Sequence, residues 1–513
     1  MNESKGLQMR RFKQIVCLAA VFMVGVMAAG SASTLPEPGP DALPRWRGFN
    51  LLEKFIKGGS SGGPYRQEDF RLISEWGFNF VRLPMDYRFW IKDGDWTQID
   101  ETAFADIDQA IAFGRKYDIH VCINFHRAPG YTVAQPPEPA DLWTDAEAQH
   151  VCAKHWAYFA RRYKDVPNTH LSFNLLNEPA DIDGRTYYRV VQQLVEAIRA
   201  EDPNRLIIAD GLNWGKQPCE ELLRLGVAQA ARGYEPFALT HYKASWVAGS
   251  QSWPVPQWPA PLAGGGYLYG PTKPDLRSPM RLNANLHAPA TLTLTVGTVS
   301  ASAHLVVWQG DEELWSQTFT PGPGEGPWKE VVFRPEWNVY QNVYDRSYEV
   351  SLPAGHYLLT LDNVRGDWLT LTGLELRTQD GMAVDFPIRP QWGQPNEPLR
   401  VESDANGCRF VAPRRQDADW LWQTVFSRWH TARGQGIGVM VGEWGAHNRT
   451  PHEVTLRWME DCLKTFQHAE IGWALWNFRG SFGILDSGRT DVPYEDLDGL
   501  KLDRKMLELL RRY

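Results

Sequence analysis

The chain has 513 residues, 43% of them hydrophobic and 22% charged, with a formal net charge of -8. That composition is globular and long enough for at least two cores, which excludes a disordered or fibrous protein. No basic block follows the first fifteen residues, so the electrostatic footprint of a nucleic-acid or anionic-membrane binder is missing and a neutral ligand fits better.

The amino terminus reads as an address. Arg10, Arg11 and Lys13 precede the apolar stretch Ile15 to Met27, and Gly30-Ser31-Ala32 offers a small-residue cleavage site, the pattern of a secretory signal peptide over residues 1–32. The apolar run is short for a spanning helix, which disfavours an uncleaved anchor, and no later stretch is long enough to cross a bilayer. The expected mature protein is secreted or periplasmic, with no stable membrane span. Export leaves Cys122, Cys152, Cys219, Cys408 and Cys462, an odd number, so at least one is unpaired within the chain. No spacing resembles a metal site, and neither metal nor cofactor is expected.

Downstream, short apolar runs alternate with longer amphipathic stretches, as in a parallel sheet with crossover helices. The runs are Trp46 to Leu51, Phe78 to Leu83, His120 to Phe125, Leu171 to Leu176, Arg205 to Ala209, Phe237 to Thr240, Gly438 to Gly442 and Gly472 to Trp476. Helical stretches fall between them at Gln67 to Trp76, Glu101 to Tyr117, Asp145 to Tyr163 and Tyr187 to Glu201. Eight such units close a (β/α)8 TIM barrel, an α/β fold whose chemistry lies at the carboxyl ends of the strands. At or just past those ends stand Asn50, Arg82, His126, Asn177 with Glu178, Asn213 with Trp214, His241 with Tyr242, Glu443, and Trp476 with Asn477. Singly, each has a plain explanation: Arg82 ties down a loop, and His126 or His241 is a satisfied core histidine. Their joint placement at one end of eight strands is the signal.

Two of these residues are carboxylates placed alike. Glu178 in Asn174-Leu175-Leu176-Asn177-Glu178-Pro179 and Glu443 in Val441-Gly442-Glu443-Trp444-Gly445 each follow a short apolar run, where a buried strand meets solvent. Glycoside hydrolysis needs one carboxyl group to protonate the leaving oxygen and a second to attack the anomeric carbon or activate water, and a separation of about 5 Å leads to retention. The 23 tryptophans agree with a sugar ligand, because flat aromatic faces pack on sugar C–H faces, although most tryptophans are core.

Far more chain separates Glu178 from Glu443 than three ordinary βα units of roughly 30 to 45 residues require, so something is inserted. Trp253 to Asp275 and Gly381 to Pro398 are rich in Pro and Gly, and linkers are expected at 253–275 and 379–400. Between them the period changes to two: Leu282 to Leu286, Thr291 to Val296, His304 to Trp308, Leu314 to Phe319, Lys329 to Phe333, Tyr348 to Leu352, His356 to Leu361 and Trp368 to Leu376 are short alternating runs. They predict an all-β, jelly-roll-like sandwich over 276–378, inserted between strands 6 and 7 of a barrel built from 33–252 and 401–513. Trp308, Trp315, Trp328, Trp337, Tyr340 and Tyr344 either form a sugar-binding platform or fill the sandwich.

The motifs Arg82-Leu83-Pro84, Asn124-Phe125-His126, Leu176-Asn177-Glu178-Pro179, His241-Tyr242, Gly442-Glu443-Trp444 and Ala474-Leu475-Trp476-Asn477-Phe478 resemble, in order, those of glycoside hydrolase family 5, the cellulase family of clan A. The resemblance spans roughly residues 44 to 250 and 415 to 513. It implies Glu178 as acid/base and Glu443 as nucleophile. It further implies Arg82 and Tyr242 as donors that hold Glu443 ionised, Asn177 as partner of the sugar 2-hydroxyl, His126 and His241 as lining of one subsite, and Trp476 as its floor. Trp214 and Asn50 complete the expected substrate-binding set. For Glu178 to be protonated near neutral pH, burial and the negative Glu443 must raise its pKa; glycosylation of Glu443 then removes that repulsion. One departure stands out. Family members often carry the tyrosine two residues after the histidine, whereas Tyr242 follows His241 directly and Lys243 takes the next position.

The expected function is a secreted retaining glycoside hydrolase acting on β-linked polysaccharide or oligosaccharide, as an endo-β-1,4-glucanase and a monomer. A β-mannanase, a β-1,3-glucanase or an exo-acting β-glucosidase stays open, because the catalytic constellation does not distinguish an equatorial from an axial 2-hydroxyl. The loops Gly58 to Pro64, Gly130 to Leu142 and Trp246 to Gly270 decide between them. A carbohydrate-binding protein without catalysis is disfavoured by the joint presence of Glu178, Glu443, Asn177 and Arg82. A metal-dependent hydrolase is disfavoured by the lack of a ligand cluster in the sequence.

Overall fold

The computed structural model describes residues 35–513 except 59–60, 263–264, 380, 382, 389, 405–406 and 412–413. The expected signal peptide lies outside the described residues. Among the described residues no helix is long and apolar enough to cross a membrane, and Cys122, Cys152, Cys219 and Cys462 are buried and free.

Eight parallel strands close on themselves in chain order: β1 (Arg47–Asn50), β2 (Phe80–Asp86), β3 (His120–Arg127), β4 (Leu171–Asn174), β5 (Ile207–Asp210), β6 (Ala228–Gly233), β7 (Val439–Trp444) and β8 (Gly472–Leu475). Both faces of such strands are covered, which is why β2, β3, β7 and β8 read as largely apolar stretches rather than strictly alternating ones. Helices form the outer ring, among them Gln67–Glu75, Ala105–Tyr117, Ala146–Tyr163, Gly184–Glu201 and His452–Ala469. Several start on an aspartate whose carboxylate accepts first-turn amides: Asp145 from Glu147 and Ala148, Asp183 from Arg185 and Thr186. In Gly184–Glu201 the residues Tyr187, Val190, Val191, Leu194, Val195 and Ile198 recur at helical spacing and are all buried against the barrel.

Inside the barrel, Trp46, Phe80, Leu206, Ile208, Ala228, Ala230, Met440 and Ala474 build an apolar floor. Trp46 stacks on His120 at 3.9 Å and on Phe80 at 5.2 Å. The close fit of β1 to β2 demands a glycine, since a Cβ on Gly48 would lie 1.7 Å from the Phe80 carbonyl oxygen. Above the floor the interior turns polar, with Asn50, Arg82, Asn124, Asn174, Asp210 and Glu443 all buried.

The sixth strand is Ala228–Gly233, not the expected Phe237 to Thr240. It is made of Ala, Gln, Arg and Gly, with no β-branched or aromatic residue, so it offers no apolar run to read. It forms because β5 and β7 present ladders on either side. Phe237–Thr240 instead makes one helical turn after Pro236 and leaves Phe237 exposed.

Between β6 and β7 lies a ten-stranded, mostly antiparallel sheet with its own core of Leu282, Leu294, Val307, Leu361, Leu374 and their neighbours. Its two longest strands, Ala290–Gln309 and Gly355–Thr378, each join two runs that the sequence separates, and register shifts along their pairing bend and twist them. The sheet is wider than 276–378. Tyr267–Tyr269 and Ala383–Pro387 pair with Gly355–Thr378, and Leu399–Asp404 with Gly407–Val411 extend it further, so part of the expected linkers is strand and the sheet runs past residue 401. Pro and Gly mark bends there, and edge strands tolerate proline because their outward amides need no partner. Of the expected platform aromatics, Tyr344 is in the core, Trp315 and Trp328 pack against it, and Trp337 is exposed.

Candidate active site

Strand register sets the polar residues side by side. Asn50 faces Arg82 across β1 and β2, Asn124 faces Asn174 across β3 and β4, and Glu443 faces Arg232 across β7 and β6. The last pairing follows a register shift after Val441; such irregularities at strand ends re-aim a side chain.

Glu443, 3% exposed, accepts on both carboxylate oxygens. Oε1 receives Arg82 Nη1 at 2.6 Å and lies 3.3 Å from Arg232 Nη2, while Oε2 receives the Tyr234 hydroxyl at 3.1 Å. Arg82 also donates to Asn174 Oδ1 at 2.9 Å, Asn50 Oδ1 at 3.0 Å and Asn177 Oδ1 at 3.0 Å. Asn50 in turn donates to the Gly442 carbonyl at 3.0 Å, next to Glu443.

Glu178 stands just beyond β4 with φ +52, a left-handed conformation uncommon outside glycine. Its amide donates to Asp210 Oδ2 at 2.8 Å and its carbonyl accepts from the Tyr131 hydroxyl at 2.8 Å, so neighbouring groups hold the turn. Oε1 of its carboxylate accepts from Arg232 Nε at 3.0 Å. Burial first, and then the charge of Glu443, raise its pKa to about 7 against the pull of Arg232. Arg232 donates as well to Asn177 Oδ1 at 2.8 Å and to the fully buried Asp210. Burial opposes the Arg232 charge, but Asp210, Glu443 and Glu178 outweigh it and raise its pKa.

Aromatic rings flank the carboxylates. His126 Nδ1 lies 4.0 Å from Glu443 Oε1 with no hydrogen-bond partner, and burial followed by Arg82 and Arg232 holds its pKa well below the usual imidazole value. Its ring stacks with Trp476 at 5.5 Å, and Phe55 meets both edge-on at 4.6 and 5.2 Å. Beyond Tyr234, His241 lies 5.1 Å away and stacks on Phe237 at 4.0 Å, and burial pushes its pKa down to about 3. Asn177 Nδ2 is buried without a partner. Trp214, 40% exposed, follows β5, its amide donating to the Pro179 carbonyl at 3.2 Å.

Asn50, Arg82, His126, Asn177, Glu178, Glu443 and Trp476 thus gather at one end of the barrel, with His241 reached through Tyr234. The expectation for Tyr242 is corrected: the phenol on Glu443 belongs to Tyr234, which emerges directly from the end of β6. Tyr242 lies beyond the helical turn, where its carbonyl accepts from His447 Nδ1 at 3.1 Å and its ring meets Lys243 Nζ at 5.1 Å. Sequence reasoning missed Arg232, Asp210, Tyr234, Tyr131 and Phe55. One signal was present: Arg232-Gly233-Tyr234 has the spacing of the family's histidine and tyrosine, with arginine in the histidine's place. Among the described residues, no group of three or more His, Cys, Asp or Glu side chains is arranged to hold a metal ion.

A closed (β/α)8 barrel that gathers a carboxylate pair around one guanidinium at the carboxyl ends of its strands is a glycosidase-type scaffold. The family profile described as Cellulase (glycosyl hydrolase family 5) matches residues 39–228. Endoglucanase C of Acetivibrio thermocellus is 30% identical over 186 residues, 35% of this chain and 53% of that protein. Cellodextrinase A of Ruminococcus flavefaciens is 27% identical over 205 residues, 38% of this chain and 56% of that protein. The crystal structure of a glycoside hydrolase aligns over 91% of this chain and 99% of its own, with 27% identity and a TM-score of 0.59. The chain spans about half the length of the curated relatives it matches. In its matched residues 39–228, its relatives and its fold, the chain is similar to glycoside hydrolase family 5.

Proposed function

We propose that the protein is a retaining glycoside hydrolase that cleaves β-linked glucan, acting as an endo-β-1,4-glucanase with Glu178 as acid/base and Glu443 as nucleophile. The observation that carries this reading is the shared guanidinium: Arg232 reaches Glu178 through Nε and Glu443 through Nη2, so both carboxyl groups flank one narrow space. A short separation of about 5–5.5 Å accompanies retention in glycoside hydrolysis. The unequal environments divide the roles. A carboxyl group with its pKa raised to about 7 carries a proton near neutral pH, as the acid must, and the other carboxylate accepts from Arg82 and Tyr234 and is poised to attack.

In the first displacement Glu443 bonds to the anomeric carbon as the bond to the leaving oxygen breaks, and that oxygen takes the Glu178 proton. Esterified Glu443 is neutral, which removes the charge that favoured protonation of Glu178. Glu178, now ionised, takes a proton from water, whose oxygen attacks the anomeric carbon and frees Glu443. The unpartnered Asn177 Nδ2 supports a hydrogen bond to the sugar 2-hydroxyl, and the ring group Trp476, His126 and Phe55 supports packing on sugar C–H faces. The endoglucanase and cellodextrinase among the relatives favour β-glucan. The pattern from Arg10 to Ala32 favours export to a secreted or periplasmic place of action.

The test is release of reducing ends from carboxymethyl cellulose, mixed-linkage glucan, glucomannan, mannan and laminarin by the wild type and by Glu443→Gln. Glucan cleavage that falls by about 10⁴-fold or more in the variant, with substrate binding retained, is expected. Wild-type silence on every polymer, or turnover that survives the substitution, overturns the reading, and a preference for mannan overturns its glucan part.

A further inference from the structure

Resting on that reading, we propose that Arg232 is a positioning residue for Glu178: its Nε–H occupies Oε1, which confines the acid's transferable proton to Oε2 and makes that proton easier to release. The geometry turns Arg232 toward protein groups. Arg232 is 3% exposed, and its donors are committed to Glu178 Oε1 at 3.0 Å, Asn177 Oδ1 at 2.8 Å, Asp210 Oδ2 and the Ala231 carbonyl at 3.3 Å, with Glu443 Oε1 3.3 Å away. A charged N–H donor favours the unprotonated oxygen of a carboxyl group. The proton therefore resides on Oε2, passes from there to the leaving oxygen, and is replaced there by the proton taken from water.

Three further features belong to the same device. Asp210 accepts from Arg232 and also from the Glu178 amide at 2.8 Å, so one carboxylate fixes both the guanidinium and the backbone of the acid. Two glycines clear the space: a Cβ on Gly442 would lie 3.0 Å from Arg232 Nη1, and a Cβ on Gly215, whose φ is +71, would lie 2.7 Å from Arg232 Cγ. Finally, Arg232 precedes Tyr234 by two residues, where the family resemblance leads to histidine. A histidine there would share the fate of His126 and His241, which burial keeps neutral; arginine keeps its charge in the same surroundings.

The decisive comparison is the paired substitution Arg232→Gln with Asp210→Asn, which removes one charge of each sign and leaves no buried ion alone. Arg232 lowers the proton affinity of the Glu178 carboxylate by charge and by hydrogen bond, and together these outweigh the opposing charge of Asp210, so the net effect of removing both is tighter proton binding by Glu178. On a cello-oligosaccharide, the alkaline limb of the kcat/KM profile should move up by about one pH unit or more, with KM within about twofold. A limb that coincides with the wild type, or a KM that rises while kcat holds, overturns the proposal. Arg232→Lys is the second variant. It keeps the charge and loses the Nε–Oε1 bond, so the limb should stay within about half a unit while kcat falls roughly tenfold; wild-type kcat in this variant overturns the positioning claim. Wild type and Glu443→Gln run beside them separate the two ideas. Absence of Glu443-dependent turnover removes the hydrolase reading, whereas unchanged profiles in an active enzyme remove only the role of Arg232.

Discussion

The Tyr234 phenol, one residue beyond β6, donates to Glu443 Oε2 across 3.1 Å, while Arg82 holds Oε1 from the opposite side at 2.6 Å. Deleting the phenolic oxygen removes one donor to a buried carboxylate and leaves the ring. A hydrogen bond to a charged group contributes about 1.5–3 kcal/mol, so Tyr234→Phe should lose roughly 10- to 100-fold in kcat. Tyr242→Phe, which alters a residue past the helical turn, should lose less than about threefold. Steady-state kinetics of the two variants side by side decide it, and equal losses would contradict the assignment.

Arg82 ties four parts of the barrel together, donating to Asn50, Asn174, Asn177 and Glu443. Lysine carries the charge on a single compact head and does not span those acceptors. Arg82→Lys is expected to lower kcat by about 10²–10³-fold and to lower Tm by several degrees, because buried acceptors lose their donor. Calorimetry and kinetics on one preparation check both, and an unshifted Tm argues against the structural half.

Glu53, in the loop after β1, has a buried Oε2 with no hydrogen-bond partner, and burial followed by Asp69 raises its pKa to about 7. Its folded-state proton affinity exceeds that of the unfolded chain, whose carboxyl titrates near 4.5. The linked stability is thus fully present below 4.5 and is lost as pH rises through about 7. Glu53→Gln has no charge to bury, so it should match the wild type at pH 4 and exceed it by roughly 2–3 kcal/mol at pH 8. Chemical denaturation at the two pH values measures this. A gain of equal size at both would point to packing instead of charge.

Much of the barrel was legible because strands covered on both faces are largely apolar. Phe80–Asp86 and His120–Arg127 therefore show as mostly apolar stretches, and the polar residues set within them, Arg82, Asn124 and His126, mark the functional rim. Ala228–Gly233 was not legible, since a strand held by neighbours on both sides needs no β propensity of its own. The apolar Phe237–Thr240 took its place in the reading and carried Tyr242 into a position that Tyr234 holds. The inserted sheet was legible by its period of two, but its edges were not, because proline at a sheet edge looks like proline in a linker.

Burial pattern and spacing are local properties of the chain, and they were enough to place two glutamates after buried strands of a (β/α)8 barrel and a β-rich module within it. That Arg232 lies between those glutamates, and that Tyr234 and Asp210 complete the network, depends on how the folded chain brings them together. Those contacts join side chains from different strands, and they follow from barrel closure and from the register shift after Val441 that brings Glu443 opposite Arg232.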